Sequence, residues 1–197
     1  MMIRVIIYLM FFASSIICVG SSAYAQTQSF RPGPGSYVTV TGTSTLHDWE
    51  MKSETMTSEV VFSTNDSGSP ESLESVMLRL SKKTLRSDKS GLERRAYDAM
   101  NANHHPEIVF LTNGSGSLQK RGDQYQVSSR GELTVAGVTR QVSVDAICIN
   151  GDDERLVCSG STRLKMSDFN IDPPVMMLGA LRTGDEITIN YNIVYVQ

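Results

Sequence analysis

The chain has 197 residues, of which 40% are hydrophobic, 7% aromatic and 20% charged, and its 18 basic residues nearly balance its 21 acidic ones. This ordinary composition excludes a collagen-like, wholly disordered or multi-span membrane protein. The near balance of charge gives no global positive field that would gather nucleic acid. The length accommodates one domain, or two only if both are small.

The first 25 residues have the three-part pattern of a secretory signal peptide. Arg4 precedes an apolar stretch from Val5 to Val19, and Ala23-Tyr24-Ala25 places small residues where a signal peptidase reads. An apolar stretch of about 15 residues is shorter than the roughly 20 that span a bilayer, which disfavours a membrane anchor. We therefore predict cleavage before Gln26 and a periplasmic or secreted location.

Short segments with strand character dominate the rest of the chain. Residues 26–35 include Arg31-Pro32-Gly33-Pro34-Gly35 and read as a flexible lead-in to a domain over 36–197. Strand periodicity is found over 36–43, 44–51, 58–63, 76–80, 107–112, 124–135, 139–149, 155–166 and 186–196. In the last segment, one face is formed by Ile187, Ile189, Tyr191, Ile193 and Tyr195. Eight or nine strands with one helix predict an all-β sandwich or barrel.

That one helix is predicted over 90–103. The apolar residues that fall at helical spacing are Leu92, Ala96, Ala99 and Met100, with charged residues between them. Pro106 disfavours helix in the residue before it, so the helix should end near Asn103. We predict an amphipathic helix that lies over the sheet or closes one end of a barrel.

The three cysteines become an even pair when the signal peptide, with Cys18, is removed. Cys148 and Cys158 flank a predicted turn over 150–154. If that hairpin centres on Asp153, the two cysteines face each other across an antiparallel pair, within reach of a disulfide. An even pair in an exported protein favours a structural bond, and a redox-active pair is the alternative.

No pattern for catalysis or for a cofactor stands out. His47 and Asp48 are neighbours on a predicted strand, so their side chains should point to opposite faces, which disfavours a Ser-His-Asp site. A metal site from His47 with His104 or His105 has no HxH, HxxxH or CxxC spacing to support it. Neither a phosphate-binding glycine loop nor a G-x-S-x-G elbow occurs. We therefore predict a protein that is not an enzyme, with no cofactor and no metal.

Two further segments bear on partners. The basic residues of 79–95 outnumber the acidic ones, and this excess could hold an anionic headgroup, lie near a membrane surface, or simply form a solvated face. The segment Asp172-Pro173-Pro174-Val175-Met176-Met177-Leu178-Gly179 is too apolar for plain solvent exposure. Its flexible methionines either line a cavity mouth or plug a barrel end.

Four motifs, in order, resemble those of one known family. His105-Pro106-Glu107-Ile108-Val109-Phe110 resembles its HPxIxF junction, and Gly131 to Arg140 resembles its GxLTIxGVT(R/K) hairpin. Met166-Ser167-Asp168-Phe169-Asn170-Ile171 resembles its M(S/T)DFGI segment, and Gly184-Asp185-Glu186-Ile187 its closing GDxV strand. The family is that of the YceI-like, polyisoprenoid-binding periplasmic proteins, and the resemblance extends over roughly Tyr37 to Val196.

This resemblance implies an antiparallel, lipocalin-like β-barrel of about eight strands with one helix, around an elongated apolar tunnel. It implies non-covalent binding of a polyisoprenoid, a polyprenyl quinone or another long amphipathic lipid, and a barrel of that size can hold one slender ligand. The alternative is a structural or stress-response interaction module whose barrel is filled by its own side chains. Peripheral membrane contact and a homodimer stay open, whereas nucleic acid is not expected. By strand alternation, the ligand-binding candidates are Trp49, Phe62, Phe110, Phe169, Met176, Met177 and Tyr191.

Overall fold

Antiparallel strands make up most of the chain that the computed structural model describes, which is residues 26–66, 69–112, 114, 116–151 and 155–196. The predicted signal peptide, including Cys18, lies outside these residues. The strands are β1 (Gln26–Pro32), β2 (Tyr37–Ser44), β3 (Trp49–Ser53), β4 (Thr57–Thr64), β5 (Pro70–Ser81), β6 (Glu107–Thr112), β7 (Ser117–Arg121), β8 (Gln124–Val135), β9 (Val138–Asn150), β10 (Leu156–Lys165), β11 (Val175–Met176) and β12 (Leu181–Val196). The helix α1 spans Ser90–Ala99, and short 3₁₀ helices span Lys82–Thr84, Met166–Phe169 and Met177–Gly179.

Eight of these strands close into a barrel. Their order is β1-β4-β5-β6-β8-β9-β10-β12, and β12 pairs back with β1 through Arg31 with Val196 and Pro32 with Tyr195. Every pair in this circle is antiparallel. The hairpin of β2 and β3 extends the wall from β12. The predicted lipocalin-like fold class is therefore confirmed.

The expected flexible lead-in is wrong for residues 26–32, because they form β1. Phe30 pairs with Val60 of β4, is buried, and packs edge-to-face on Phe62 with ring centroids 6.2 Å apart. Only residues 33–36 form the turn that the Pro and Gly residues predict, with Ser36 N donating to Gly33 O. The local turn signal could not reveal that the preceding residues find partners far along the chain.

The strand predicted over 44–51 is interrupted by a turn over 45–48. The Ser44 hydroxyl forms this turn, since its oxygen accepts from the backbone N–H groups of Leu46 and His47 and its proton goes to His47 O at 2.7 Å. Serine favours turns for this reason. His47 and Asp48 therefore lie on a loop rather than on a strand, and the expected placement on opposite faces of a sheet does not apply.

The helix α1 ends at Ala99, four residues before the predicted end at Asn103. Met100 caps it, and Asn101 takes a left-handed conformation with φ of 49° that a helix cannot continue through. The carbonyl of Met100 accepts a hydrogen bond of 2.9 Å from Nζ of Lys82. The end of the helix is thus held by a buried side chain from the segment that precedes it.

The buried Lys82, which holds the end of α1, is expected to make the stability of the protein depend on pH. Its side chain is 0% exposed, and burial lowers its pKa below the ordinary value. The unfolded chain therefore binds this proton more readily than the folded one. We expect wild type to gain free energy of unfolding relative to Lys82→Met as pH rises toward about 10. Urea unfolding across that range measures the difference, and Lys83→Met, at the exposed neighbouring residue, is the matched control for the removal of a lysine.

The predicted bond between Cys148 and Cys158 is confirmed. The two residues are directly opposed in the register of β9 and β10, with Cα atoms 4.0 Å apart. Their side chains are 1% and 7% exposed, so the sulfurs lie in the barrel interior. The disulfide therefore ties the hairpin together at one end of the barrel.

Candidate ligand-binding tunnel

Burial along β12 reveals a void inside the barrel. Ile193 and Tyr195 are 3% and 4% exposed, as expected for inward side chains in a packed interior. Ile187, Ile189 and Tyr191 lie on the same face of the strand, yet they are only partly buried. Inward side chains that keep accessible surface must border a cavity. The barrel is therefore packed at the end that holds the disulfide and open inside toward the other end.

An inner cavity of about 150 Å³ occupies the middle of the barrel. Phe62, Phe110 and Tyr191 are among its lining residues, and Cys148 and Cys158 lie at its closed end. Nearly all of its other lining side chains are aliphatic. Cavities with such walls stay dry and accept apolar molecules.

The few polar groups of the inner cavity are bonded mainly to the barrel itself. The Tyr191 hydroxyl donates to Asp145 O at 2.6 Å, and that of Tyr195 lies 2.9 Å from the Ser58 hydroxyl. Burial raises the pKa of both phenols, so they stay neutral. Thr162 Oγ1 lies beside Tyr191 and has no hydrogen-bond partner among the described residues. Apart from the Thr162 hydroxyl, the cavity thus presents mainly carbon to a guest.

An outer cavity of about 220 Å³ lies between the barrel and α1. The helix contributes the face that its spacing predicted, namely Leu92, Ala96, Ala99 and Met100. The opposite wall comes from the segment after β10, through Met166, Phe169 and Ile171, all of them buried. The helix therefore forms one side of the outer cavity.

The two cavities are adjacent, because they share part of their wall. Five residues line both of them, from four different strands and the segment before α1: Val40, Leu85, Ile108, Leu164 and Ile189. These residues form the constriction between the outer and inner parts. Together the two cavities, which we call the tunnel, extend from the residues of α1 to the disulfide, an arrangement that suits a long and narrow apolar guest.

The opening of the tunnel carries positive charge. Lys89, Arg95 and Arg182 line the outer cavity together with His47, and within the described part of the chain none of its lining residues is acidic. Nζ of Lys89 lies 2.6 Å from Nε2 of His47. In the described part of the chain, none of these four groups forms an ion pair. We call these four residues the basic rim.

Trp49 lies beside the rim, in a position that Gly42 makes possible. A Cβ on residue 42 would come within 2.4 Å of the indole ring, so only glycine leaves room for it. The indole N–H donates to Thr43 O at 3.1 Å, which fixes the ring as part of the outer wall.

The seven predicted site residues have four different outcomes. Trp49 and Phe169 line the outer cavity, whereas Phe62, Phe110 and Tyr191 line the inner one. The side chain of Met176 lies outside what the structure describes. Met177 lines neither cavity and is 73% exposed, because it sits in a left-handed conformation at the tip of its loop.

Sequence reasoning also missed several aliphatic wall residues, among them Val40, Leu164 and Ile187. Their alternation with polar neighbours was a usable signal for an inward side chain. That alternation, however, is the same for a packed core as for a cavity wall.

Metal or membrane-spanning features are not found in the described residues. No group of three or more His, Cys, Asp or Glu side chains there could hold a metal ion. Nδ1 of His104 lies 2.7 Å from the Asn101 side chain, while His47 contacts Lys89. None of the helices in this part of the chain is both long and apolar enough to cross a bilayer.

Comparison with known proteins identifies the family. A family model for the YceI-like domain matches residues 26–195. The chain belongs to the YceI-like family. A UPF0312 protein of Pectobacterium atrosepticum is 35% identical over 82 residues, and the match spans 39% of this chain and only 40% of that protein.

Two solved structures share the fold of this YceI-like domain. BcnA of Burkholderia cenocepacia has a TM-score of 0.62 at 15% identity, covering 82% of this chain and 96% of that one. A polyisoprenoid-binding domain from Saccharophagus degradans, implicated in plant cell wall breakdown, has a TM-score of 0.62 at 9% identity, covering 86% and 98%. At these identities the likeness concerns the fold alone.

Two of the YceI-like motifs meet at the hairpin of β8 and β9. Ala136 and Gly137 both have positive φ, at 53° and 82°, which is the geometry of a tight two-residue turn. The ring of His105 lies over Gly137, where a Cβ would come within 2.7 Å of it. Glycine is thus required there by the turn and by the histidine together.

The other two YceI-like motifs meet at the outer cavity. The backbone N–H and the hydroxyl of Ser167 donate to the carboxylate of Asp185 at 2.8 and 2.6 Å. These hydrogen bonds lower the pKa of Asp185. They fasten the segment that carries Met166 and Phe169 to β12, and so position one wall of the tunnel.

Proposed function

We propose that this YceI-like protein binds one long apolar lipid chain, without covalent attachment, in its tunnel. The observation that supports it is the pair of adjacent carbon-lined cavities, which share the five wall residues of the constriction. Each methylene taken from water into such a space contributes about 0.8 kcal/mol, so a long chain binds tightly without specific polar contacts. The role is binding and carriage rather than catalysis.

The ligand class that we propose is a polyisoprenoid or a polyprenyl quinone. The name of the Saccharophagus degradans domain with the same fold supports this choice. We further propose that the protein acts in the periplasm or outside the cell, which the signal-peptide pattern of the first 25 residues supports.

The alternative, a barrel filled by its own side chains, is not favoured. Packed interiors contain few voids larger than a water molecule. Cavities of about 220 and 150 Å³ are well above that size. An interaction module without a ligand would therefore have to tolerate a large empty interior.

Native mass spectrometry of the protein isolated gently from its producing cells tests the proposal. We expect a complex with one lipid, which organic solvent releases, and uptake of geranylgeraniol by the emptied protein. A protein that arrives empty and takes up neither geranylgeraniol nor a prenyl quinone would contradict the proposal.

Trp49 provides an optical test, because it is the single tryptophan of the chain and lines the outer cavity. When geranylgeraniol displaces water from that cavity, we expect the emission of Trp49 to shift to shorter wavelength and to saturate. A fatty acid brominated near its headgroup should quench this emission, and the unbrominated acid is the matched control. Equal emission with both acids at saturating concentration would argue against a ligand in the outer cavity.

A further inference from the structure

Two neighbouring loops beside the tunnel opening, residues 45–48 and 172–180, expose an unusual amount of apolar surface. We call them the mouth loops. The Thr45 hydroxyl of the first loop donates to Ala180 O of the second at 3.3 Å. Thr45 N donates to O of Arg182, just after the second loop, at 3.0 Å. Four of the seven strongly exposed large apolar side chains in the described chain lie here, and they are Leu46, Val175, Met177 and Leu178.

The backbone conformation of Met177 and Leu178 accounts for part of this exposure. Met177 and Leu178 have φ of 51° and 53°, in the left-handed region that residues other than Gly and Asn rarely adopt. The side chain of Leu178 is fully exposed. Such a conformation carries a free-energy cost, and no packing of these side chains against the barrel offsets it.

The apolar surface and the basic rim meet at the same opening. Leu46 lines the outer cavity together with Lys89 and Arg182. Isolated apolar residues on a surface are ordinary, but an apolar cluster bordered by basic groups marks a docking surface. Apolar tips with flanking cations suit a bilayer interface that contains anionic lipid.

We propose that the mouth loops and the basic rim dock this protein on a membrane that contains anionic lipid, with the tunnel opening toward the bilayer. A long lipid chain could then pass between bilayer and tunnel without crossing water. This last role rests on the proposed function, whereas the docking itself does not.

Charge favours a membrane over a second copy of the chain. In a symmetric dimer through this surface, each patch would face itself, and the basic rims would repel each other. A bilayer with anionic headgroups pairs with the cations and also accepts the apolar tips. Asp48 and Asp172 flank the mouth loops and lower their net charge, so we expect docking to need the apolar side chains as well.

Flotation with vesicles of phosphatidylcholine, with or without phosphatidylglycerol, tests the docking. The protein is isolated from its producing cells, and intact mass establishes its N-terminus. We expect binding to the anionic vesicles that weakens with salt. The double variant Met177→Asn, Leu178→Asn should bind about tenfold more weakly, since asparagine tolerates the left-handed backbone and only the apolar surface is lost. Lys89→Gln and Arg182→Gln should each weaken binding about fivefold.

Matched controls lie elsewhere on the barrel. Ile147→Asn removes an exposed apolar side chain from β9, and Arg121→Gln removes a charge from the end of β7. Neither variant should change vesicle binding. Equal losses in the controls and the mouth variants, or no binding of wild type to anionic vesicles, would overturn the docking proposal. A concentration-dependent dimer that the Asn double variant abolishes, with no vesicle binding, would assign this surface to self-association instead.

Lipid content separates this proposal from the proposed function. Met177 and Leu178 line neither cavity, so their double variant should keep the lipid of wild type while losing vesicle binding. A wild type that binds vesicles but carries and takes up no prenyl lipid supports docking and contradicts lipid carriage. A protein that carries lipid but does not bind vesicles supports lipid carriage and contradicts docking.

Discussion

Ile189→Trp is expected to lower the affinity for a prenyl lipid about a thousandfold. Ile189 lies at the constriction that both cavities share. An indole there would block the inner cavity and exclude at least one five-carbon unit of the guest. At about 0.8 kcal/mol per carbon, that loss is about 4 kcal/mol. Titration of the emptied protein with geranylgeraniol, followed by native mass spectrometry, measures the change.

Asn190→Trp is the matched control for this blockade. It adds the same ring at the next position, where the side chain points to the outside of the barrel. We expect unchanged affinity. The indole of Ile189→Trp fills existing space. The free energy of unfolding of this variant should therefore differ from that of wild type by less than roughly 3 kcal/mol, which is what overpacking a filled core can cost. Full affinity in Ile189→Trp would contradict a ligand that reaches the inner cavity.

The double variant Cys148→Ala, Cys158→Ala is expected to lose about 2–3 kcal/mol of unfolding free energy. The bond closes a short loop, with a sequence separation of 10 residues, and the chain-entropy estimate for such a loop is about 3 kcal/mol at most. For a chain of this size, the loss corresponds to a fall in Tm of roughly 5–10 °C. Thermal and urea unfolding under oxidising conditions measure it.

Ile149→Ala, at an exposed position next to Cys148 on β9, is the control for truncation of a side chain on that strand. It should change Tm only slightly. Because both sulfurs are buried, dithiothreitol should reduce the bond quickly only when denaturant is present. Ready reduction of the native protein, together with an unchanged Tm in the alanine variant, would favour the redox-active alternative over a structural bond.

Short-range patterns predicted the local parts of this protein well. The alternation of apolar and polar residues at 186–196 predicted which face of β12 points inward, since side chains on a strand alternate with a period of two. The centre of the 150–154 turn predicted that Cys148 and Cys158 oppose each other. The helical spacing of Leu92 and Ala96 predicted the face of α1 that lines the outer cavity. Each of these inferences needs only residues that are close together along the chain.

Local patterns failed where the outcome depended on distant partners. The Pro and Gly residues near Arg31 suggested a flexible lead-in, yet β1 closes the barrel by pairing with β4 and β12. The apolar segment that contains Met177 suggested a cavity lining, but its backbone turns that side chain to the surface. Strand pairing and loop direction are set by contacts between residues far apart in the chain.

The sequence by itself therefore determined the strand pattern, the disulfide, the amphipathic face of α1 and, through four motifs, the family. Only the tertiary structure decided that the barrel interior contains two adjacent cavities. An inward residue such as Ile189 has the same sequence pattern whether it meets another side chain or a void, because that depends on the summed volumes of side chains from several strands. The same holds for the opening, where Lys89 and Arg182 come together from an α-helix cap and a strand that are far apart in sequence.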